Sequence, residues 1–183
     1  MKLVQLYKQV KEENEKLGKI LVPRRSSEER EKNFLIATNK KVQEYIKNGS
    51  QGNLNLSGTP ITSLPDNLTV RGDLFLSNTK ITSLPNNLTV EGSLDLDNTP
   101  ITSLPEKLTV KDSLFLKGTP ITSLPNNLTV GRYLDLSGTK ITSLPEDLTV
   151  GGSLNLENTP ISKQYTKKQF KQMVPGVKGI IYS

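Results

Sequence analysis

Leu74-Phe75-Leu76-Ser77-Asn78-Thr79-Lys80-Ile81-Thr82-Ser83-Leu84-Pro85-Asn86-Asn87-Leu88-Thr89-Val90 decides how this chain folds, because the same pattern returns every 20 residues. The block Ile81-Thr82-Ser83-Leu84-Pro85 recurs from positions 61, 101, 121 and 141, and no insertion breaks the period. A strict short period means that one structural unit stacks on copies of itself, each burying its apolar face against its neighbours. Leu74 and Leu76 are separated by one residue, so both point to one side of a short strand. Their equivalents are Leu54/Leu56, Leu94/Leu96, Leu114/Leu116, Leu134/Leu136 and Leu154/Leu156. Parallel strands stack about 4.8 Å apart, so six of them span roughly 24 Å. Ile81, Leu84, Leu88 and Val90 complete the core of the coil. Leu68-x-Val70 and its copies read as a second short extended segment.

The position after each strand is Gly58, Asn78, Asn98, Gly118, Gly138 or Asn158. Glycine and asparagine are the residues that best tolerate positive φ, so this column is read as a left-handed turn. The full unit, L-x-L-x-x-T-x-I-T-S-L-P-x-x-L-T-V-x-x-x, resembles the leucine-rich repeat, whose core is L-x-L-x-x-(N/T)-x-I-x-x-L-P. The short period is similar to the bacterial and phage-encoded kind. The resemblance implies a solenoid of stacked parallel β-strands; an open solenoid end exposes apolar core, so a helical cap is expected over the first coil and a helix and strand over the last. It also implies an asparagine ladder that satisfies loop amides. Here Thr59, Thr79, Thr99, Thr119, Thr139 and Thr159 stand in its place, and their hydroxyls are expected to do that work.

The period covers residues 51–161 and leaves two unlike ends. In residues 1–50, Leu3, Leu6, Tyr7 and Val10 have helical spacing. Val22-Pro23-Arg24-Arg25 reads as a linker. Ser26 and Glu29 form a capping-box pattern that opens a second helix carrying Phe34, Leu35, Val42, Tyr45 and Ile46 and ending at Asn48-Gly49. In residues 162–183, Lys163 to Met173 reads as a short basic helix, Val174-Pro175-Gly176 as a break, and Val177 to Tyr182 as a last strand.

Composition narrows function. Only 33% of the chain is hydrophobic and 5% aromatic, which suits a solenoid better than a compact globule. Cysteine and histidine are absent, which removes thiolate chemistry, the commonest general base and the commonest metal ligand. No apolar run reaches the ~20 residues of a membrane span, and no signal core follows Met1. A cytoplasmic protein without cofactor or metal is the reading. Net charge is +6, but residues 1–50 carry 12 basic against 7 acidic side chains and residues 161–183 carry 5 basic and none acidic. The repeats between them are mildly acidic. The pattern Gly-x4-Gly-Lys-Ser/Thr is absent, so Gly-Thr-Lys segments are no phosphate loop.

In the resembled family, partners bind the concave strand face, through residues flanking the strand leucines. The column between the leucines runs Asn55, Phe75, Asp95, Phe115, Asp135, Asn155. Tyr133 stands in the column before it; Asp97 and Lys117 stand in the column after it. Phe75 and Phe115 lie two repeats apart, roughly 10 Å, with Tyr133 beside Phe115. Exposed aromatics are binding anchors, and the aspartates between them favour a basic or mixed protein surface. Asp95, Asp97 and Asp135 lack the pocket that acid–base catalysis needs. The expectation is a non-enzymatic scaffold that engages a protein through Phe75, Asp95, Asp97, Phe115, Lys117, Tyr133 and Asp135. By analogy with short repeat proteins of this kind, the partner is a host protein modulated by a phage or bacterial factor. Two alternatives stand beside it: a nucleic-acid-associated protein using Lys163, Lys167, Lys168 and Lys171, and a self-assembling structural protein.

Overall fold

The structure, a computed structural model, describes Glu12 and residues 26–183. The helical spacing of Leu3 to Val10 and the linker at Val22 to Arg25 lie outside the described residues. Phe34–Ser183 form one compact unit, a parallel β-solenoid.

Each of the first five coils contributes a two-residue strand to each of two sheets, and the sixth contributes one to the first sheet. The first sheet holds β1 (Leu54–Asn55), β3 (Leu74–Phe75), β5 (Leu94–Asp95), β7 (Leu114–Phe115), β9 (Leu134–Asp135), β11 (Leu154–Asn155) and β12 (Ile181–Tyr182), paired in that order. The second holds β2 (Thr69–Val70), β4 (Thr89–Val90), β6 (Thr109–Val110), β8 (Thr129–Val130) and β10 (Thr149–Val150). Pairing is parallel, and in the coils each residue faces its copy one period on, as in Leu54↔Leu74 and Thr69↔Thr89. The second extended segment expected around Leu68-x-Val70 is therefore a sheet of its own.

The core follows the columns. Leu74, Leu76, Ile81, Leu88 and Val90 are fully buried, and Leu84 nearly so. The same six positions are buried in the neighbouring coils. Burying each such side chain is worth about 1.5–3 kcal/mol against exposure. That is what makes strands of two residues tenable.

The turn column adopts positive φ throughout: Gly58 65°, Asn78 57°, Asn98 55°, Gly118 70°, Gly138 68° and Asn158 59°. The threonine column departs from its expected role. Thr79 Oγ1 donates to the Leu76 carbonyl in its own coil at 2.7 Å, and Thr59, Thr99, Thr119, Thr139 and Thr159 do the same within their coils. Each of these hydroxyls thereby closes its own turn rather than serving the next coil. Only Thr159 also accepts an amide, that of Ser162 at 3.2 Å.

A second left-handed column was not read from the sequence. Asn67, Asn87 and Asn127 have φ of 57°, 56° and 56°. Lys107 and Asp147 occupy the equivalent positions, and neither is among the residues with positive φ. There the chain closes a different turn, with the Leu108 amide donating to Pro105 O at 3.1 Å and Leu148 to Pro145 O at 3.2 Å. Asparagine accepts the left-handed region at little cost, whereas lysine does not.

The ends close the core differently. Helix α1 spans Ser27–Lys47. Its start is the expected capping box: Ser26 N–H donates to Glu29 Oε2 at 3.0 Å and Glu29 N–H to Ser26 Oγ at 3.1 Å. Gly49, φ 80°, follows its end. Its buried stripe is narrower than the sequence suggested. Val42 is buried and Leu35 and Tyr45 are half-buried, but Phe34 and Ile46 are exposed. Tyr45 packs on the core and donates to Ser50 O at 2.7 Å and Gly52 O at 2.8 Å, tying the helix to the first coil.

At the other end the basic helix starts later than Lys163. A 3-10 turn, Ile161–Lys163, precedes α2, Lys167–Met173. Thr166 separates them because it takes an extended conformation, ψ 159°, and forms a capping box with Gln169. Phe170 and Val174 plug the coil. The tail then serves both sheets: Val177 bridges Val150, and β12 pairs β11 with Leu154↔Ile181.

The two turn types predict unequal mutational costs. Asn87→Ala is expected to destabilise the protein by about 1 kcal/mol, the cost of forcing alanine into the left-handed region. Lys107→Ala, where φ is negative, should lie within about 0.5 kcal/mol of wild type. Urea unfolding of both variants checks this, and equal losses would contradict the assignment.

Candidate partner-binding face

Six of the residues singled out in the sequence, with their neighbours, stand on the outer face of the first sheet because they alternate with buried leucines. The register places Phe75 beside Asp95, Asp95 beside Phe115, and Phe115 beside Asp135 in one row. All four are half-exposed, as are Asp97 and Tyr133. The seventh, Lys117, is exposed on the same face. The Phe115 and Tyr133 rings meet at 5.9 Å with planes tilted by 56°, an arrangement aromatic quadrupoles favour.

The row extends one strand further than the period shows. Tyr182 pairs with Asn155 on β12, so it continues the column Asn55, Phe75, Asp95, Phe115, Asp135, Asn155. Ile180 likewise continues the column of Tyr133 and Ser153. Both are exposed, Ile180 at 57% and Tyr182 at 39%. Sequence reasoning missed them because they follow a helix and fall outside the 20-residue spacing.

The aspartates have local duties. Asp95 Oδ1 accepts the Asp97 amide at 3.0 Å, and Asp135 Oδ1 accepts the Ser137 amide at 2.9 Å. Asn55 and Asn155 do the same for Ser57 and Glu157. Where Phe115 replaces them, the Lys117 amide turns to Asp97 Oδ1 of the preceding coil at 2.8 Å. The column before the strand leucines is also committed. Asn53 accepts the Asp73 amide at 2.8 Å, Asp73 accepts that of Ser93 at 2.8 Å, and Ser93 and Ser113 accept those of Ser113 and Tyr133 at 3.4 Å. This is the inter-coil ladder that the threonines were expected to supply.

Burial raises the Asp97 carboxyl above the usual aspartate range, and the Asp95 and Asp135 charges add to this. The Lys117 amide and ammonium oppose the rise. Burial likewise raises the Tyr133 phenol, against a hydrogen bond from Asn155. Among the described residues, no three acids come together as a metal site requires. No described helix is long and apolar enough to cross a membrane. Lys163, Lys167, Lys168 and Lys171 are exposed in the C-terminal segment, whose helix α2 packs close to β12.

A carboxyl raised on folding contributes stability below its unfolded pKa and loses it as pH rises through the folded value. Asp97→Asn keeps an acceptor for the Lys117 amide and removes the charge. It should raise Tm at neutral pH, and the difference should vanish in acid below the ordinary aspartate range. Thermal melts across pH check this; a variant that melts lower at neutral pH contradicts it.

No family model matches the chain, and no curated protein matches it either. Repeat, register and paired sheets define it: a parallel β-solenoid of stacked 20-residue coils.

Proposed function

We propose that the chain is a leucine-rich-repeat protein of the short kind and that it binds a partner protein, without catalysis, through the outer face of its first sheet. The repeat assignment is supported by the buried leucine pairs, their parallel stacking and the left-handed turn after each strand. The observation that carries the binding reading is the half-exposed Phe115–Tyr133 pair on the first sheet, with Phe115 in line with Phe75 and Tyr182. Rigid aromatic side chains lose little entropy on binding and supply large contact area, which is why they dominate interface energetics. Asp95, Asp97 and Asp135 surround them with negative charge, while Lys117 adds a single cation. A partner patch that is apolar at its centre and basic at its rim complements this face.

The test is capture with the immobilised full chain, wild type against Phe75→Ala/Phe115→Ala. Neither ring is part of the buried core, so the variant keeps its fold, and circular dichroism verifies that. Any partner that uses the face should lose at least about 30-fold in affinity, given about 2 kcal/mol or more for a central aromatic anchor. An unchanged set of captured proteins at unchanged affinity overturns the reading.

A further inference from the structure

Among the described residues, β12 stands at the end of the first sheet and pairs with β11 alone. Leu154 N–H donates to Ile180 O at 2.9 Å and Leu156 N–H to Tyr182 O at 2.7 Å. In a parallel ladder successive residues turn their N–H and C=O to opposite sides. Ile180 and Tyr182 thus face β11, and the N–H and C=O of Ile181 point away from the sheet. Its side chain is buried, which fixes the strand in place. The opposite edge is guarded: on β1 the outward carbonyl of Asn55 accepts Lys41 Nζ from α1 at 2.6 Å. Helix α2 packs close to β12, yet among the described residues no hydrogen bond reaches the Ile181 N–H or C=O.

Charge selects the occupant. Residues 161–183 carry five lysines and no acid. Lys163, Lys167, Lys168, Lys171 and Lys178 are all exposed. The nearest acid along the chain, Glu157, stands one strand back and is also exposed. A second copy would bring either the same five lysines or the basic residues 1–50 against this edge, and like charges oppose both. A nucleic acid would use the lysines but has no main-chain ladder to offer Ile181.

We propose that the β12 edge accepts an extended acidic segment of another protein as an added strand. Its backbone pairs with Ile181, its apolar side chains rest on Ile180 and Tyr182, and its carboxylates meet Lys178 and the α2 lysines. Strand addition draws affinity from the main chain and selectivity from the side chains that flank it. The added strand shares Ile180 and Tyr182 with the end of the Phe75–Phe115 face but uses the free main-chain edge, so Phe75→Ala/Phe115→Ala tells the two readings apart.

The test uses the full chain and a fluorescein-labelled peptide, Glu-Asp-Val-Thr-Val-Asp-Glu, followed by anisotropy at low salt. A twin N-methylated at its three central residues keeps the charge and loses the ladder. The plain peptide should bind saturably, and the twin should bind at least about 10-fold more weakly, the loss of a net hydrogen bond or two. Ile180→Ala/Tyr182→Ala and Lys167→Glu/Lys171→Glu/Lys178→Glu should each weaken binding by a similar factor. Both sets of side chains are exposed, so the fold persists, as circular dichroism verifies. Phe75→Ala/Phe115→Ala should leave peptide binding unchanged. Absence of binding, or equal binding of the N-methylated twin, overturns the proposal. So does a duplex DNA of equal charge that binds regardless of Ile180 and Tyr182. A dimer in sedimentation that Ile180→Ala/Tyr182→Ala dissociates would assign the edge to a second copy and overturn it as well.

Discussion

Every structural feature of the coils depends on one constraint: the parallel register equals the sequence period. Leu54 faces Leu74, Leu74 faces Leu94, and so on, so each position packs against its own copy about 4.8 Å away. A side chain is therefore acceptable only if it tolerates itself as a neighbour. Aliphatic residues do, and stack into buried columns. Ionised residues do not, because like charges directly opposite on adjacent strands are destabilising. The middle outward column obeys this rule. Asp95 and Asp135 are separated by Phe115, and Asp95 is flanked on its other side by Phe75. Elsewhere charges meet with opposite sign across one period: Glu91 with Lys111 at 3.0 Å and Asp112 with Arg132 at 3.6 Å. These pairs are exposed and worth little individually. What they avoid matters more than what they contribute.

The same register makes the ends the difficult part of the fold, since the first and last coils each lack one copy of themselves. The N-terminal solution is a helix whose Val42 covers apolar core while Lys41 and Tyr45 take up loose carbonyls. The C-terminal solution imitates a coil. Val177 stands in for a second-sheet strand, Ile181 for a strand leucine, and Phe170 fills the space between. Imitation preserves the geometry of a growing stack, so the final edge remains an edge. A strand edge is a liability unless charge or cover discourages pairing. Five lysines with no acid among them discourage copies of this chain and leave the edge open to an acidic segment.

How much of this was legible in the sequence depends on whether a residue shares its column with its own kind. The leucines, and the Gly/Asn turn column, repeat a single chemistry, so spacing alone located them. Asn67, Asn87 and Asn127 share theirs with Lys107 and Asp147, and the mixed column concealed two turn types. The threonines repeat without fail, yet repetition reveals that a role exists and not which partner is bonded. Tyr182 was invisible as a member of the candidate face because α2 displaces it to 27 positions beyond Asn155. The late start of α2 turned on Thr166 and Gln169, a capping pair three residues apart that the lysine run on both sides obscured.

The outward columns are also less free than variability suggests. In the column before the strand leucines, Asn53, Asp73, Ser93 and Ser113 each accept an amide from the following coil, so a side-chain oxygen is a structural requirement there. Tyr133 is the one residue in coils one to five that departs from it. The next oxygen acceptor, Ser153, resumes the role by taking the Ile180 amide at 3.1 Å. At Tyr133 the column gives up a hydrogen-bonding position for a ring that leans on Phe115. Local rules in a repeat protein are enforced by every neighbouring coil, so a single exception is not explained by the needs of the fold. The exception falls where two aromatic rings meet between aspartates on an exposed sheet. That coincidence separates Tyr133 and Phe115 from the half-exposed residues around them as the centre of the proposed binding face.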